Sequence, residues 1–455
     1  MSILDHIDHN FEHNAKAVLK KFARGKIVLQ AILVGIISGL LAVLFRYSVS
    51  QLDSFLFETS DKMSLLYKII SIPLITGFGG LIAGLLVFKI APESSGSGIP
   101  EVKYFLSKLG QKFRKRVIIT KFFAGVIGIG AGLSLGREGP SVQLGAGAGA
   151  LVSRLYKLQG FKERKLIAAG AGAAIGATFN APIAATIFVL EELVHVFKSS
   201  LLFPVLVATV TASVIARSLL GNNYAFDIPK LSIQPDYQNL HIYIVLGIFA
   251  GFLGVAFTRN IMSNLKYFES IKTPNWFKPA IAGFFTGLVG VFLPFILGPG
   301  NQAISYLLEG KIPLLLIVIV FVGKFFLTPF CFGSGAAGGL FLPTIMLGAF
   351  LGYFTGNVAQ NFLSLQVEPI VVALVGMGAF LSAVARTPIT AVVIVSELTG
   401  DYSHILPIML SAAVADLIAD KLNSPSVYAL LMLRRGRIIK TKEDEQEILE
   451  EALVT

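Results

Sequence analysis

The chain has 455 residues, 54% hydrophobic and 14% charged, with a mean hydropathy of +0.74 and a formal net charge of +11. Soluble domains carry about 25% charged residues, so a soluble globular protein is excluded, and a single cysteine, Cys331, excludes an intrachain disulfide and a thiolate metal cluster. The six histidines are scattered without an i,i+4 pair, and no basic–aromatic groove motif accompanies the positive charge, so neither a metal nor nucleic acid is expected as a partner.

In chain order, residues 1–26 are polar and basic (Lys16, Lys20, Lys21, Arg24, Lys26), which suits a cytoplasmic, partly amphipathic segment with no cleavable signal peptide. Long apolar runs then follow at 27–45, 69–88, 243–257 and 313–323, as expected of membrane segments. Between them the sequence repeats. GSGIPEVKYFL (96–106) matches GPGNQAISYLL (298–308), and KFF (121–123) recurs at 324–326. GREGPSVQLGAGAG (136–149) matches GLFLPTIMLGAFLG (339–352), and GAGAAIGATFNAP (170–182) matches GMGAFLSAVARTP (376–388). The offsets are 202, 203, 203 and 206, and nine residues after the last proline of each copy stands a glutamate, Glu191 or Glu397. Four blocks in one order at near-constant spacing define a duplicated unit of roughly 200 residues. We read 27–222 as the first transmembrane repeat, 223–435 as the second and 436–455 as a short charged cytoplasmic tail.

Charge orients the two copies. The loops flanking the first GREGP arm hold Lys108, Lys112, Arg114, Lys115 and Arg116 on one side and Arg154, Lys157, Lys162, Arg164 and Lys165 on the other. Both therefore read as cytoplasmic. Their counterparts at 301–312 and 358–370 hold one lysine, Lys311, and read as external. The copies are thus inverted. Residues 117–135 and 141–153 form the arms of a membrane hairpin with GREGP at its apex, the second arm being shorter than the roughly 20 residues of a full span. GGLFLP (338–343) is the inverted counterpart. The expected fold is an all-α integral membrane protein, an inverted-topology repeat of tilted, broken and re-entrant helices.

Each apex places glycines and a proline before an apolar helical run, with the proline expected at the first helical position. Helices that start inside the membrane aim free N–H groups and a positive dipole end at the midplane, which favours an anion. GSGIP supplies a third such start. Glu138, at the GREGP apex, is itself an anion and would compete with a bound ion for the same N–H groups, so that protonation and ion occupancy become linked; it could also serve only as a helix cap. Arg137 is expected to compensate buried charge. Glu191, matched by Glu397, suggests a shared structural bond to a neighbouring helix end. Glu192, whose counterpart is Leu398, is a proton-relay candidate. Lys121 and Lys324 are expected to snorkel or to neutralise buried carboxylates.

GSGIPEVK (96–103), GREGP (136–140), GGLFLP (338–343) and the pair Glu191-Glu192 resemble the CLC family of chloride channels and proton/chloride exchangers, from about residue 26 to 435. The resemblance implies the CLC fold and a homodimer with one pathway per subunit. It implies a chloride site built by Ser97, the backbone N–H groups of Leu340 and Phe341, and Tyr428. It also assigns Glu138 as the external gate and Glu192 as the internal proton-transfer residue, the latter characteristic of exchangers. Serine at position 97 goes with chloride in this family, and fluoride-exporting relatives depart from GSGIP. The function expected is therefore secondary active exchange of chloride for protons, with a passive chloride channel on the same scaffold as the alternative. No cofactor is implied. The short end beyond Tyr428 leaves no room for a CBS-type nucleotide-binding domain, and the form suits a prokaryotic inner membrane with both termini cytoplasmic. A remote alternative, an intramembrane serine hydrolase, is prompted by FGSGA (332–336), but no histidine stands where it could serve Ser334 as a base.

Overall fold

The computed structural model describes residues 3–61, 63–107, 113–222, 224–226 and 239–436, with side chains described from Gly25 onward except those of 59–61. The tail 437–455 and the loop holding Lys108 and Lys112 lie outside the described residues. The described chain is helical throughout, apart from short turns and two isolated backbone bridges.

The first half contains α1 (Ile3–Asp61), α2 (Leu65–Ile90), α3 (Ile99–Ser107), α4 (Lys115–Gly130), α5 (Glu138–Leu155), α6 (Phe161–Phe179), α7 (Pro182–Phe188) and α8 (Ser199–Leu220). α7 continues as one wide turn of π-helix, Val189–Val194. The second half contains α9 (Leu240–Ser270), α10 (Lys278–Gly290), α11 (Asn301–Leu308), α12 (Leu314–Gly333), α13 (Phe341–Phe362), α14 (Pro369–Ala385), α15 (Pro388–Thr399) and α16 (Ile405–Lys421). α17 (Val427–Arg434) follows, without a counterpart among the described residues. Among the described residues six helices, starting at Gly25, Leu65, Ser199, Leu240, Leu314 and Phe341, are long and apolar enough to cross a membrane. Their outward side chains, among them Phe55, Leu66, Phe78, Phe252 and Leu315, are exposed hydrophobics. Hydrocarbon is the solvent that suits such a surface.

The repeat reaches down to single backbone torsions. Gly96 and Gly98 have φ of +67° and +89°, and their counterparts Gly298 and Gly300 have +59° and +96°. These left-handed turns, open to glycine at little cost, launch α3 and α11. Asn180 and Arg386, at matching positions, both end their helices left-handed, with φ of 57° and 60°. α5 packs on α6 as α13 packs on α14. A Cβ on Gly145 would run into the carbonyl oxygen of Gly170, and one on Gly348 into that of Gly376, so these backbones touch without intervening side chains. α7 and α15 pack on each other and join the two copies.

The lysines of the two KFF blocks differ from expectation. Both are fully buried. Lys121 Nζ donates to the carbonyl oxygens of Ser94, at 2.9 Å, and Gly96. Lys324 Nζ donates to those of Ile296 and Gly298, at 3.1 and 2.7 Å. Neither neutralises a carboxylate by contact or snorkels. Each pins the loop whose left-handed glycines open the next re-entrant helix, because a lysine ammonium with three donors satisfies carbonyls that no helix can reach.

Candidate functional site

Three loops converge between the halves. Gly96 N donates to Ala336 O and Gly338 N to Gly96 O, both at 3.2 Å. Gly136 N donates to Gly339 O at 2.8 Å, and Gly339 N returns the bond to Gly136 O at 2.6 Å. This stitching brings the starts of α3, α5 and α13 to one place. Ser97 lies against Gly139, where a Cβ would collide with its backbone and hydroxyl. Ser97, Glu138, Leu340 and Phe341 are all buried, and the Ser97 hydroxyl has no hydrogen-bond partner among the described residues.

The helices begin earlier than their prolines suggest. α5 opens at Glu138 and α13 at Phe341, so Pro140 and Pro343 occupy the third helical position, where a missing N–H costs no intrahelical bond. Glu138 therefore sits in the first turn of its own helix and also reaches across the repeat. Its Oε2 lies 3.4 Å from Leu342 N, in the first turn of α13. Its Oε1 is buried with no hydrogen-bond partner and stands 4.0 Å from Arg137 Nε, itself unpartnered. A buried carboxylate normally collects short, charge-assisted bonds. This one has a long bond to a neighbouring helix end and an ion pair at the limit of contact.

Glu191 and Glu397 show what a firmly held carboxylate looks like in the same protein. Glu191 accepts from Ile389 N at 3.1 Å, Thr390 N at 2.7 Å and Thr390 Oγ1 at 2.6 Å, capping α15. Glu397 accepts from Ile183 N at 3.1 Å and Ala184 N at 2.7 Å, capping α7. Each copy thus caps the other's short helix, the shared bond to a neighbouring helix end that the repeat suggests.

Glu192 turns the other way. Its Oε1 forms an ion pair with Lys103 Nζ at 2.8 Å, the two side chains being 1% and 3% exposed. Lys103 stands on α3, the helix that Ser97 precedes, so α3 links the internal acid to the convergent loops. The pair borders a cavity of about 440 Å³ shared with His195, Arg386 and Ser426. Glu192 thus borders this cavity, whereas Glu138 lies at the convergent loops. Tyr428 is buried in the first turn of α17, which packs against α3. Ser426 caps that helix by accepting from Ala429 N at 3.1 Å.

Sequence reasoning passed over two buried charges on α3. Lys103 is one. The other is Glu101, which pairs with Arg435 beyond α17. Their repeat counterparts are Ser305 and Ala303. A charge that lacks a charged counterpart was the available signal. Ser334 is not poised for hydrolysis, since its hydroxyl donates to Cys331 O at 2.7 Å. Among the described residues, no group of three or more His, Cys, Asp or Glu side chains is arranged to hold a metal.

A family model described as voltage gated chloride channel matches residues 79–420. An H(+)/Cl(-) exchange transporter ClcA of Vibrio campbellii is 33% identical over 429 residues, 92% of this chain and 92% of the relative. A ClcA of Yersinia pseudotuberculosis is 32% identical over 420 residues, 90% of this chain and 87% of the relative. The crystal structure of a slow cyanobacterial Cl−/H+ antiporter matches with a TM-score of 0.84 and 29% identity, covering 92% of this chain and 99% of that one. A CLC-type fluoride/proton antiporter shares the fold at a TM-score of 0.76 and 23% identity, over 90% of this chain and 98% of its own. Helices, repeat and sequence agree: the chain is an integral membrane protein and belongs to the voltage-gated chloride channel, or CLC, family.

Proposed function

We propose that this protein exchanges chloride for protons across the membrane. The observation that carries the reading is the placement of Glu138. A weakly held carboxylate faces the first-turn N–H groups of α13, which are free of intrahelical partners. Those groups, with the unpartnered Ser97 hydroxyl, are what a dehydrated anion would use. Protonation of Glu138 removes the competing charge and frees the position, so uptake of a proton and entry of an anion become two sides of one event. Chloride is the anion we assign, bound by Ser97, the N–H groups of Leu340 and Phe341, and Tyr428. Glu192, on the inner cavity, is the group that receives and releases protons there, with Lys103 as its countercharge. The names of the exchange transporters similar to this chain support the reading. We also propose the family's homodimer with one pathway per subunit, cytoplasmic termini, and an inner-membrane location.

Reversal potential decides the matter. In liposomes holding the purified protein under opposed chloride and proton gradients, an exchanger's zero-current voltage moves with both gradients. A channel's moves with chloride alone, and that outcome would overturn the proposal.

A further inference from the structure

A second cavity, of about 240 Å³, lies on the opposite face of α17 from the proton chamber. It is bounded by α2, the end of α9, the start of α10, the end of α12 and the end of α17. Lys278 lines it, is only 6% exposed, and has no hydrogen bond or ion pair to any described residue. Its stem is buried while its ammonium opens into the cavity with no countercharge among the described residues, a placement that suits a bound anion. The arginines of the cavity are already committed. Arg434 forks onto Glu269, at 3.1 and 2.6 Å. Arg435 pairs with Glu101 and donates to Ser95 O at 3.3 Å. Among the described residues that line the cavity, the one uncompensated charge is therefore positive, and an anion would complement it.

Size and lining narrow its class. A halide would leave most of the volume unfilled. The Lys278 ammonium and the Asn275 amide lie at the N-terminal end of α10, while Phe88, Phe268 and Phe332 make the rest of the wall apolar. A phosphate group presents several oxygens to such donors, and its organic remainder would lie against the rings. We propose that this cavity binds a phosphate-bearing anion, anchored by Lys278, at the face that the basic loops mark as cytoplasmic. Arg435 makes the site consequential. It joins the cavity to Glu101 on α3 and to the loop just before Ser97. A ligand oxygen that draws on Arg435 would loosen the start of α3, and so the anion path. The proposal holds whether the protein is an exchanger or a channel.

Two arms separate a soluble phosphate from a lipid headgroup. In the first, the detergent-solubilised protein is titrated with inorganic phosphate by calorimetry, at fixed chloride and ionic strength, with gluconate as control. In the second, it is reconstituted into phosphatidylcholine vesicles with or without phosphatidic acid, and protection of Lys278 from an amine-reactive reagent is read by mass spectrometry. We expect saturable binding of phosphate, or protection that requires phosphatidic acid, the arm that responds naming the source. Lys278→Met should weaken the response at least about tenfold, and Lys278→Arg should retain it. Should Lys278→Met fail to fold, labelling of the unmodified protein decides alone, in each arm with and without its phosphate. No response in either arm, or a Lys278→Met response equal to wild type, overturns the proposal.

Discussion

The reciprocal capping of α7 and α15 makes a quantitative prediction. Glu191→Gln and Glu397→Gln each leave one side-chain carbonyl in place of two carboxylate oxygens and turn an amide N–H toward a backbone N–H. Hydrogen bonds to a charged acceptor contribute about 1.5–3 kcal/mol each. Glu397 accepts two and Glu191 three, the third from the Thr390 hydroxyl. With roughly half of this lost, Glu397→Gln should cost about 2 kcal/mol and Glu191→Gln about 3 kcal/mol. Thr390→Val, which deletes only the hydroxyl bond, should cost about 1.5 kcal/mol in the wild-type background, the low end of that range, and close to nothing beside Glu191→Gln. The buried Cys331 is the chain's single thiol, so a thiol-reactive dye reports its exposure on heating. Midpoints should fall in the order wild type, Thr390→Val, Glu397→Gln, Glu191→Gln. If Glu397→Gln proves the more damaging of the two, or if Thr390→Val adds in full to Glu191→Gln, the bond-counting argument is wrong.

Three further outcomes follow from the same geometry. Glu138→Gln should keep chloride flux, lose coupled proton movement in a vesicle pH assay, and change the unfolding midpoint little, because the bond removed is long. Lys103→Met should depress proton flux more than chloride flux, since it strands the Glu192 carboxylate without its countercharge; breaking a buried pair costs about 3–5 kcal/mol. A double-mutant cycle with Glu192→Gln should recover most of that cost, and strict additivity would rule the pair out as an energetic unit. Lys121→Met and Lys324→Met should destabilise by similar amounts, about 3 kcal/mol each, because each frees two loop carbonyls; dye-detected midpoints that diverge widely would refute the symmetry.

The repeat made much of this protein readable before its structure. Both re-entrant hairpins, the inverted copies and the Glu191–Glu397 correspondence follow from matched motifs and the placement of basic loops. What stayed hidden is pairing across long separations. Lys103 meets Glu192 across 89 positions, and no periodicity connects them. The lysines of the KFF blocks were found but misjudged, because a sequence shows the charge and not the carbonyls that left-handed loops turn inward. A pattern nonetheless divides these charges. Lys121 with Lys324, and Glu191 with Glu397, occur in both copies and hold the scaffold together. Glu101, Lys103, Arg137, Glu138 and Glu192 occur in one copy only, and they surround the proposed path. Duplication supplied the frame, and divergence between the copies supplied the charges on which the proposed chemistry rests.

The four backbone hydrogen bonds among Gly96, Gly136, Ala336, Gly338 and Gly339 bear on how such a machine can move. Transporters built from inverted repeats commonly expose their site to each side in turn by rocking one half against the other. Here the halves are sewn together at the midpoint itself, and rocking would tear that seam and its short contacts at every turnover. In the proposed exchange the movable part is then a single side chain. Swinging Glu138 through a rotamer change sacrifices one long hydrogen bond and leaves the seam intact. The ion would meet a nearly fixed conduit with a hinged stopper, and the difference between a pump and a leak in this scaffold would rest on when that stopper opens.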